Sequence, residues 1–308
     1  MEETKSRIEQ QEVFNKTVIN YLVKPFYLLV SRFVYKEAKV TGLRNIDEMK
    51  QNKYNVIVYN HMFDFDIVEI IYRLLQRDVF VANVAKHEFF NHEKPFEKLL
   101  CWLMENSGAF PVYLDYNRKT AEDNRENTKY TRGKGSLSRD KLDNFFKQFY
   151  AYLRLGKPVT IAINGSITRD KKFPKPEEGL AFLLMNAEEK ASIPINEINI
   201  FPVGNAFIGD LEEYNRILFN RKEYPSTLYR NYLALKKLVN KISIFLSFGK
   251  PFTMIDVLGD TQGLSSKQIR GKLSNGIMEK IKSEVRNAWE TFDVEKKYNL
   301  TIEEYLTS

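Results

Sequence analysis

The junction at residues 54–66 constrains this chain most: Tyr54-Asn55-Val56-Ile57-Val58-Tyr59 stops abruptly at Asn60-His61-Met62-Phe63-Asp64-Phe65-Asp66. The first run is short, β-branched and aromatic, which suits a buried strand better than a helix. Behind it, Ile67-Val68-Glu69-Ile70-Ile71-Tyr72-Arg73-Leu74-Leu75 is apolar at helical spacing and opens after Asp66, a residue type suited to capping a helix. His61 therefore sits on a strand-to-helix turn at the carboxyl end of a strand, where open α/β sheets place their ligands. An imidazole takes a proton near neutral pH when a carboxylate fixes its tautomer, and either Asp66 or Asp64 is close enough along the chain to do so. Spacing alone fits two readings: a catalytic pair, or a turn histidine beside a helix cap.

A chain of 308 residues with 43% hydrophobic and 13% aromatic content has material for one substantial α/β domain with additions, and it is too apolar for disorder. Lys+Arg at 47 against Asp+Glu at 40 leaves a net charge of +7, which favours anionic partners such as acidic lipid headgroups or coenzyme phosphates. A general lysine bias accounts for the same excess equally well. No basic helix or zinc-knuckle pattern accompanies the charge, so nucleic acid is set aside. The single cysteine, Cys101, forms no internal disulfide and lies in an apolar segment, as expected of a buried, inert thiol. The start, Met1-Glu2-Glu3, lacks the basic region of a secretory signal, and the longest apolar runs fall short of the roughly 18 residues needed to span a bilayer.

Residues 1–38 read as an N-terminal helical element and residues 39–308 as the α/β domain. Between Val18 and Tyr35 aromatic and aliphatic side chains gather around Lys24 and Arg32, and Pro25 kinks or breaks any helix there. Such a segment fits a helix pair lying in a lipid interface, or one packed on the domain's own core. His87, Glu88, His92 and Glu93 do not make a metal site: histidines five apart stand about 140° from each other around a helix. The polar stretch from Tyr116 to Ser136 reads as a long loop beside the site. Helical spacing follows from Asp140 to Leu155, with Gly156 as a natural stop, and Ile269, Leu273, Ile277, Ile281, Val285 and Trp289 mark a later amphipathic helix.

Asn60-His61-x-x-x-x-Asp66 resembles the N-H-x-x-x-x-D signature of the glycerophospholipid acyltransferase family, whose best-known members acylate lysophosphatidic acid. One short stretch and three further blocks follow in the family's order. Val84-Ala85-Lys86 resembles its A-K-x-x-L stretch, which makes Lys86 the candidate cation for an acceptor headgroup. Gly108-Ala109-Phe110-Pro111-Val112 resembles the start of G-A-F-P-V-D-R, but Tyr113 and Leu114 stand where the family has Asp and Arg; Arg118 is the nearest arginine to reach back. Asn164-Gly165-Ser166-Ile167-Thr168-Arg169 resembles F-P-E-G-T-R-S with an insertion, and Asn164 replaces the glutamate. An amide preserves hydrogen bonds but not the charge. Arg169 is then a bidentate phosphate ligand, and Gly165 allows close backbone approach to substrate. Pro202, in Ile198-Asn199-Ile200-Phe201-Pro202-Val203-Gly204, matches the fourth block beside the acyl site.

The resemblance implies a glycerolphosphate acyltransferase-like α/β fold, a mixed sheet flanked by helices. It also implies acyl transfer from acyl-CoA or acyl carrier protein, as co-substrate, to a hydroxyl of lysophosphatidic acid or a related lysophospholipid. His61 is then the general base, Asp66 orients it, and Asn60 joins the substrate-binding set. No metal or bound cofactor is required, and the chain is expected on the cytoplasmic face of a membrane without crossing it. The changed second and third blocks keep two alternatives in view: a glycolipid or amino-lipid acceptor, and a non-catalytic lipid-binding relative.

Overall fold

The computed structural model describes residues 35–62, 66–86, 108–112, 139–165, 173–209 and 241–307, with isolated positions between 21 and 32 and between 214 and 239. In chain order its main elements are β1 (Tyr35–Thr41), α1 (Leu43–Glu48), β2 (Tyr54–Tyr59), α2 (Asp66–Gln76), β3 (Ala82–Lys86), β4 (Ala109–Val112), α3 (Arg139–Arg154), β5 (Val159–Ala162), α4 (Gly179–Met185), α5 (Ala187–Ala191), β6 (Ile198–Ile208), β7 (Ile242–Phe248), α6 (Met254–Leu258), α7 (Ser266–Thr291), α8 (Val294–Tyr298) and α9 (Ile302–Thr307). The seven strands make one sheet in the order β1-β7-β6-β2-β5-β3-β4. Its neighbours are parallel except β6 and β7, which run antiparallel.

β2 lies near the middle of the sheet, and both of its faces are covered. Val56 and Val58 join the apolar cluster that includes Phe145, Phe149 and Leu153 of α3, Leu180 of α4 and Ile277 and Ile281 of α7. Ile57 and Tyr59 point the other way, with Ile46 of α1 and Ile70 and Leu74 of α2. Burial on two sides is why the strand reads as a continuous apolar run rather than an alternating one.

Gly204 lets the longest helix settle on β6. A Cβ there would stand 2.3 Å from the Val285 nitrogen of α7, so only glycine permits this approach of helix and strand backbones. β1 begins at Tyr35, inside the segment assigned from sequence to the N-terminal element. The alternating Lys36, Glu37 and Lys39 hide this edge strand in a charged stretch, and Glu37 bonds Lys39 and Lys297. The rest of the N-terminal interfacial assignment, the loop from Tyr116 to Ser136, Cys101, His87 and His92 lie outside the described residues or at isolated positions. Among the described residues, no helix is long and apolar enough to cross a membrane.

Candidate active site

Parallel strands β6, β2, β5, β3 and β4 bring their carboxyl ends to one edge of the sheet, and the site is built there. β6 outruns its neighbour: it pairs with β2 up to Val203 opposite Tyr59, then continues to Ile208 alongside β7. Residues of an extended chain send their N–H and C=O groups to alternate sides. Beyond β2, Asn205 turns both groups towards the vacated side, where a buried strand edge must still be satisfied. Side chains do this. Asn60 Oδ1 accepts the Asn205 N–H at 2.8 Å, and Asn60 Nδ2 donates to the Asn205 carbonyl at 2.8 Å. The Tyr305 hydroxyl, from α9, accepts the Phe207 N–H at 3.0 Å and reaches the Asn205 carbonyl at 3.4 Å.

The next residue, His61, is held by its main chain. Asn164 Oδ1 accepts the His61 N–H at 2.9 Å while Asn164 Nδ2 donates to the His61 carbonyl at 3.0 Å. Asn164 lies on the turn that ends β5, and the Ile163 N–H first extends the ladder by donating to the Tyr59 carbonyl at 3.0 Å. Gly165 follows at φ +64°, a left-handed conformation that explains glycine at this turn.

His61 Nδ1 lies 2.8 Å from Asp66 Oδ1. Asp66 Oδ2 accepts the Met62 N–H at 2.7 Å and a bond from Asn205 Nδ2 at 3.1 Å. Asp66 is fully buried, and such a carboxylate needs several donors to offset its lost hydration. It is also the first residue of α2, where the helix dipole favours negative charge. A carboxylate at this position can accept from Nδ1–H, the tautomer that leaves the lone pair on Nε2. The His61 side chain keeps 16% of its surface, against none for Asp66, and packs edge-on to Tyr59 with ring centroids 5.8 Å apart. A fully buried carboxyl group thus holds a partly accessible imidazole.

The charge of Asp66 is felt by the phenols around it. Burial raises the Tyr59 hydroxyl well above the usual phenol value, and Asp66 pushes it further. Tyr305 is raised by burial, opposed by the Phe207 N–H, with Asp66 again adding to the rise. Both hydroxyls stay protonated across the neutral range.

Of the residues expected in the site, His61, Asp66, Asn60 and Asn164 come together here. Asn60 and Asn164 do so through main-chain partners: Asn60 is fully buried against β6, and Asn164 brackets His61. Of the two carboxylates in range of His61, Asp66 makes the bond, and Asp64 lies outside the described residues. The backbone of Lys86 closes β3 at the same edge, while Arg118 and Arg169 lie outside the described residues. Pro202 is level with Val58 on β6, and its carbonyl accepts the Gly249 N–H. Its missing N–H is tolerated where β6 changes from a parallel to an antiparallel partner. Its ring lines a groove of about 400 Å³ with Lys250, Lys280 and Glu284, whose lining does not include His61 or Asp66.

Two contributors escape the sequence patterns, Asn205 and Tyr305. Asn205 had a signal: a short amide inside the otherwise apolar strand Ile198–Ile208, where a buried polar group demands a partner. Tyr305, a hundred residues further on, had none. Among the described residues, no group of three or more His, Cys, Asp or Glu side chains is arranged to hold a metal ion. No protein-family model and no curated protein matches this chain.

Proposed function

We propose that the chain is an acyltransferase that moves a fatty acyl group from a thioester, acyl-CoA or acyl carrier protein, to a hydroxyl of lysophosphatidic acid or a related lysophospholipid, on a glycerolphosphate acyltransferase-like fold. The observation that carries this reading is the 2.8 Å contact between His61 Nδ1 and the fully buried Asp66 at the carboxyl edge of the sheet. It coincides with the Asn60-His61-x-x-x-x-Asp66 pattern, to which the resemblance attaches this chemistry.

In this mechanism His61 Nε2 takes the acceptor hydroxyl proton as the oxygen bonds to the thioester carbonyl carbon. The tetrahedral intermediate collapses, the C–S bond breaks, and the imidazolium returns its proton to the leaving thiolate. Ester and free thiol are the products. Asp66 stabilises the transient imidazolium and keeps the ring in the tautomer that exposes a base. General-base assistance of this kind contributes about 10²–10⁴ in rate, with orientation supplying more.

Lys86, Arg118, Arg169 and Gly165 are the proposed substrate contacts around this pair, Pro202 is the proposed contact in the separate groove it lines, and the side-chain amides of Asn60 and Asn164 hold main-chain groups beside the pair. The part of the 1–38 element that precedes β1 is proposed to seat the enzyme on the cytoplasmic face of a membrane; of its residues, Tyr21 and Leu28 are strongly exposed. A second reading, a glycolipid or amino-lipid acceptor, is favoured by Leu114, which stands where the resemblance expects the phosphate-binding arginine.

The test incubates the purified protein and His61→Ala with acyl-CoA or acyl carrier protein donors and a panel of lysolipids, reading new lipids by mass. A phosphatidate product that falls by about 10²–10⁴ in His61→Ala is expected. Product from a glycolipid or amino-lipid alone would select the second reading. No product with any donor and acceptor would overturn acyl transfer.

A further inference from the structure

We propose that Asn205 is a positioning residue for the His61–Asp66 pair: it fixes the Asp66 carboxylate from β6, and Asn60 in turn fixes Asn205. This role deepens the acyl-transfer reading and rests on it for its catalytic consequence. Its structural part stands on the buried network alone.

Three observations carry it. Asn205 Nδ2 donates to Asp66 Oδ2 at 3.1 Å, on the oxygen opposite the one that meets His61. With the Met62 N–H on the same oxygen at 2.7 Å, this bond leaves the carboxylate little freedom to rotate away from the imidazole. Second, the Asn205 backbone is gripped at both N–H and C=O by one side chain, Asn60, the residue just before the histidine. The polypeptide thus forms a closed circuit in which Asn60 holds Asn205, Asn205 holds Asp66, and Asp66 holds His61.

Third, the amide is retained at a cost. Asn205 is fully buried, and its Oδ1 has no hydrogen-bond partner among the described residues. A buried acceptor without a partner destabilises the fold, and an apolar residue of similar size would avoid that penalty. Rotating the amide by half a turn would set Oδ1 against the Asp66 carboxylate, so the orientation is dictated by the anion. A residue serving strand packing alone has no need of the Nδ2 donor; a residue serving Asp66 does.

The described titratable groups around the carboxylate are His61 on the same turn, Tyr59 on β2 and Tyr305 on α9. Both phenols are raised and remain neutral, so His61 is the group that reports on Asp66 near neutral pH. Without the Asn205 donor the carboxylate is less stabilised by hydrogen bonding and attracts the imidazole proton more strongly. The His61 midpoint then moves up.

The experiment follows the imidazole resonances of the three histidines by NMR against pH, in the full chain, with His61→Ala supplying the assignment. Asn205→Ala and Asn205→Leu, the second keeping side-chain volume, are expected to raise the His61 midpoint by about half a pH unit or more. They are also expected to lower kcat about tenfold with KM within about twofold. Asn55→Ala, which removes another buried amide, should leave the midpoint in place. In the unmutated protein, which needs no variant to fold, the assigned Asn205 side-chain amide should shift with the His61 midpoint. An unchanged His61 midpoint in a folded Asn205 variant, or an Asn205 amide indifferent to His61 titration, would overturn the proposal. These titrations need no substrate. A shifted midpoint without acyl transfer by the unmutated protein would leave the positioning role standing and remove the reaction.

Discussion

Each end of β2 carries a buried asparagine, and the two solve different problems. Asn55, one residue inside the strand, donates its Nδ2 to the carbonyls of Met49 and Asn52, both at 2.9 Å. These partners precede it by six and three residues, so the bonds close the turn that leads into the strand. Asn60, one residue past the other end, finds both of its partners on Asn205, 145 residues away. A local amide can form its bonds as soon as its own turn forms. The distant amide is satisfied only when β6 has docked, so the turn bearing His61 acquires its final geometry with the completed sheet.

The largest effect expected from this contrast is on stability. Asn60→Ala strips the buried Asn205 N–H of its partner and leaves the Asn205 C=O only the longer Tyr305 bond, and we expect a loss of about 2–4 kcal/mol in denaturant unfolding together with a fall in activity. Asn55→Ala should lose about 1–2 kcal/mol and keep its activity within about twofold. If Asn55→Ala lowers the proposed activity as strongly as Asn60→Ala, the division between a structural end of β2 and an end that serves the proposed site fails.

Asn164 sharpens the comparison from the neighbouring strand. Asn164→Asp keeps an acceptor for the His61 N–H but loses the donor to the His61 carbonyl and brings negative charge against it. A fall in kcat of about tenfold is expected, equivalent to about 1.4 kcal/mol in the barrier. Asn164→Glu restores the carboxylate of the resembling third block and should also reduce kcat, because this backbone is shaped around an amide. A gain in activity on Asn164→Glu would mean that residue 164 serves the substrate rather than the main chain of His61.

The parts of this arrangement that local chemistry encodes were legible in the sequence. The β2 run, the helix behind Asp66 and the position of His61 between them follow from β-branched content and helical periodicity. The helix marked by Ile269 to Trp289 occupies Ser266–Thr291, and Gly156 ends α3 with φ +68°. What the sequence hid is long-range. β6 extends to Ile208, beyond the Gly204 that closes its apolar pattern, and the register that sets Asn205 against Asn60 depends on where a neighbouring strand stops. The start of β1 is hidden because Lys36, Glu37 and Lys39 look like a solvated stretch, and Glu37 meets Lys297 and Tyr298 of α8 only in the folded chain. Tyr305 fills a vacancy that exists only after three separate segments have met.

The smallest expected effect lies at the far edge of the sheet, where charge is not tied to His61. Burial works against ionisation of Glu37, but the Lys297 and Lys39 ammonium groups outweigh it and leave the carboxyl below its ordinary value. A depressed value in the folded chain means stability that is present above the unfolded carboxyl pKa and lost as pH falls through the folded one. Glu37→Gln should therefore lose less than about 1 kcal/mol in melts at about pH 7, and nothing at about pH 2. The proposed acyl transfer should not change; a large loss of that activity would mean that the two edges of the sheet are coupled.

The proposed role of His61 as base can be checked by measuring kcat/KM against pH for thioester-to-lysolipid transfer and comparing the profile with the NMR titration of the His61 imidazole in the same protein. The rate should rise through one ionisation whose midpoint matches that of His61 and moves with it in Asn205→Leu. A rate that stays flat while the imidazole titrates, or that survives intact in a folded His61→Ala, would contradict it.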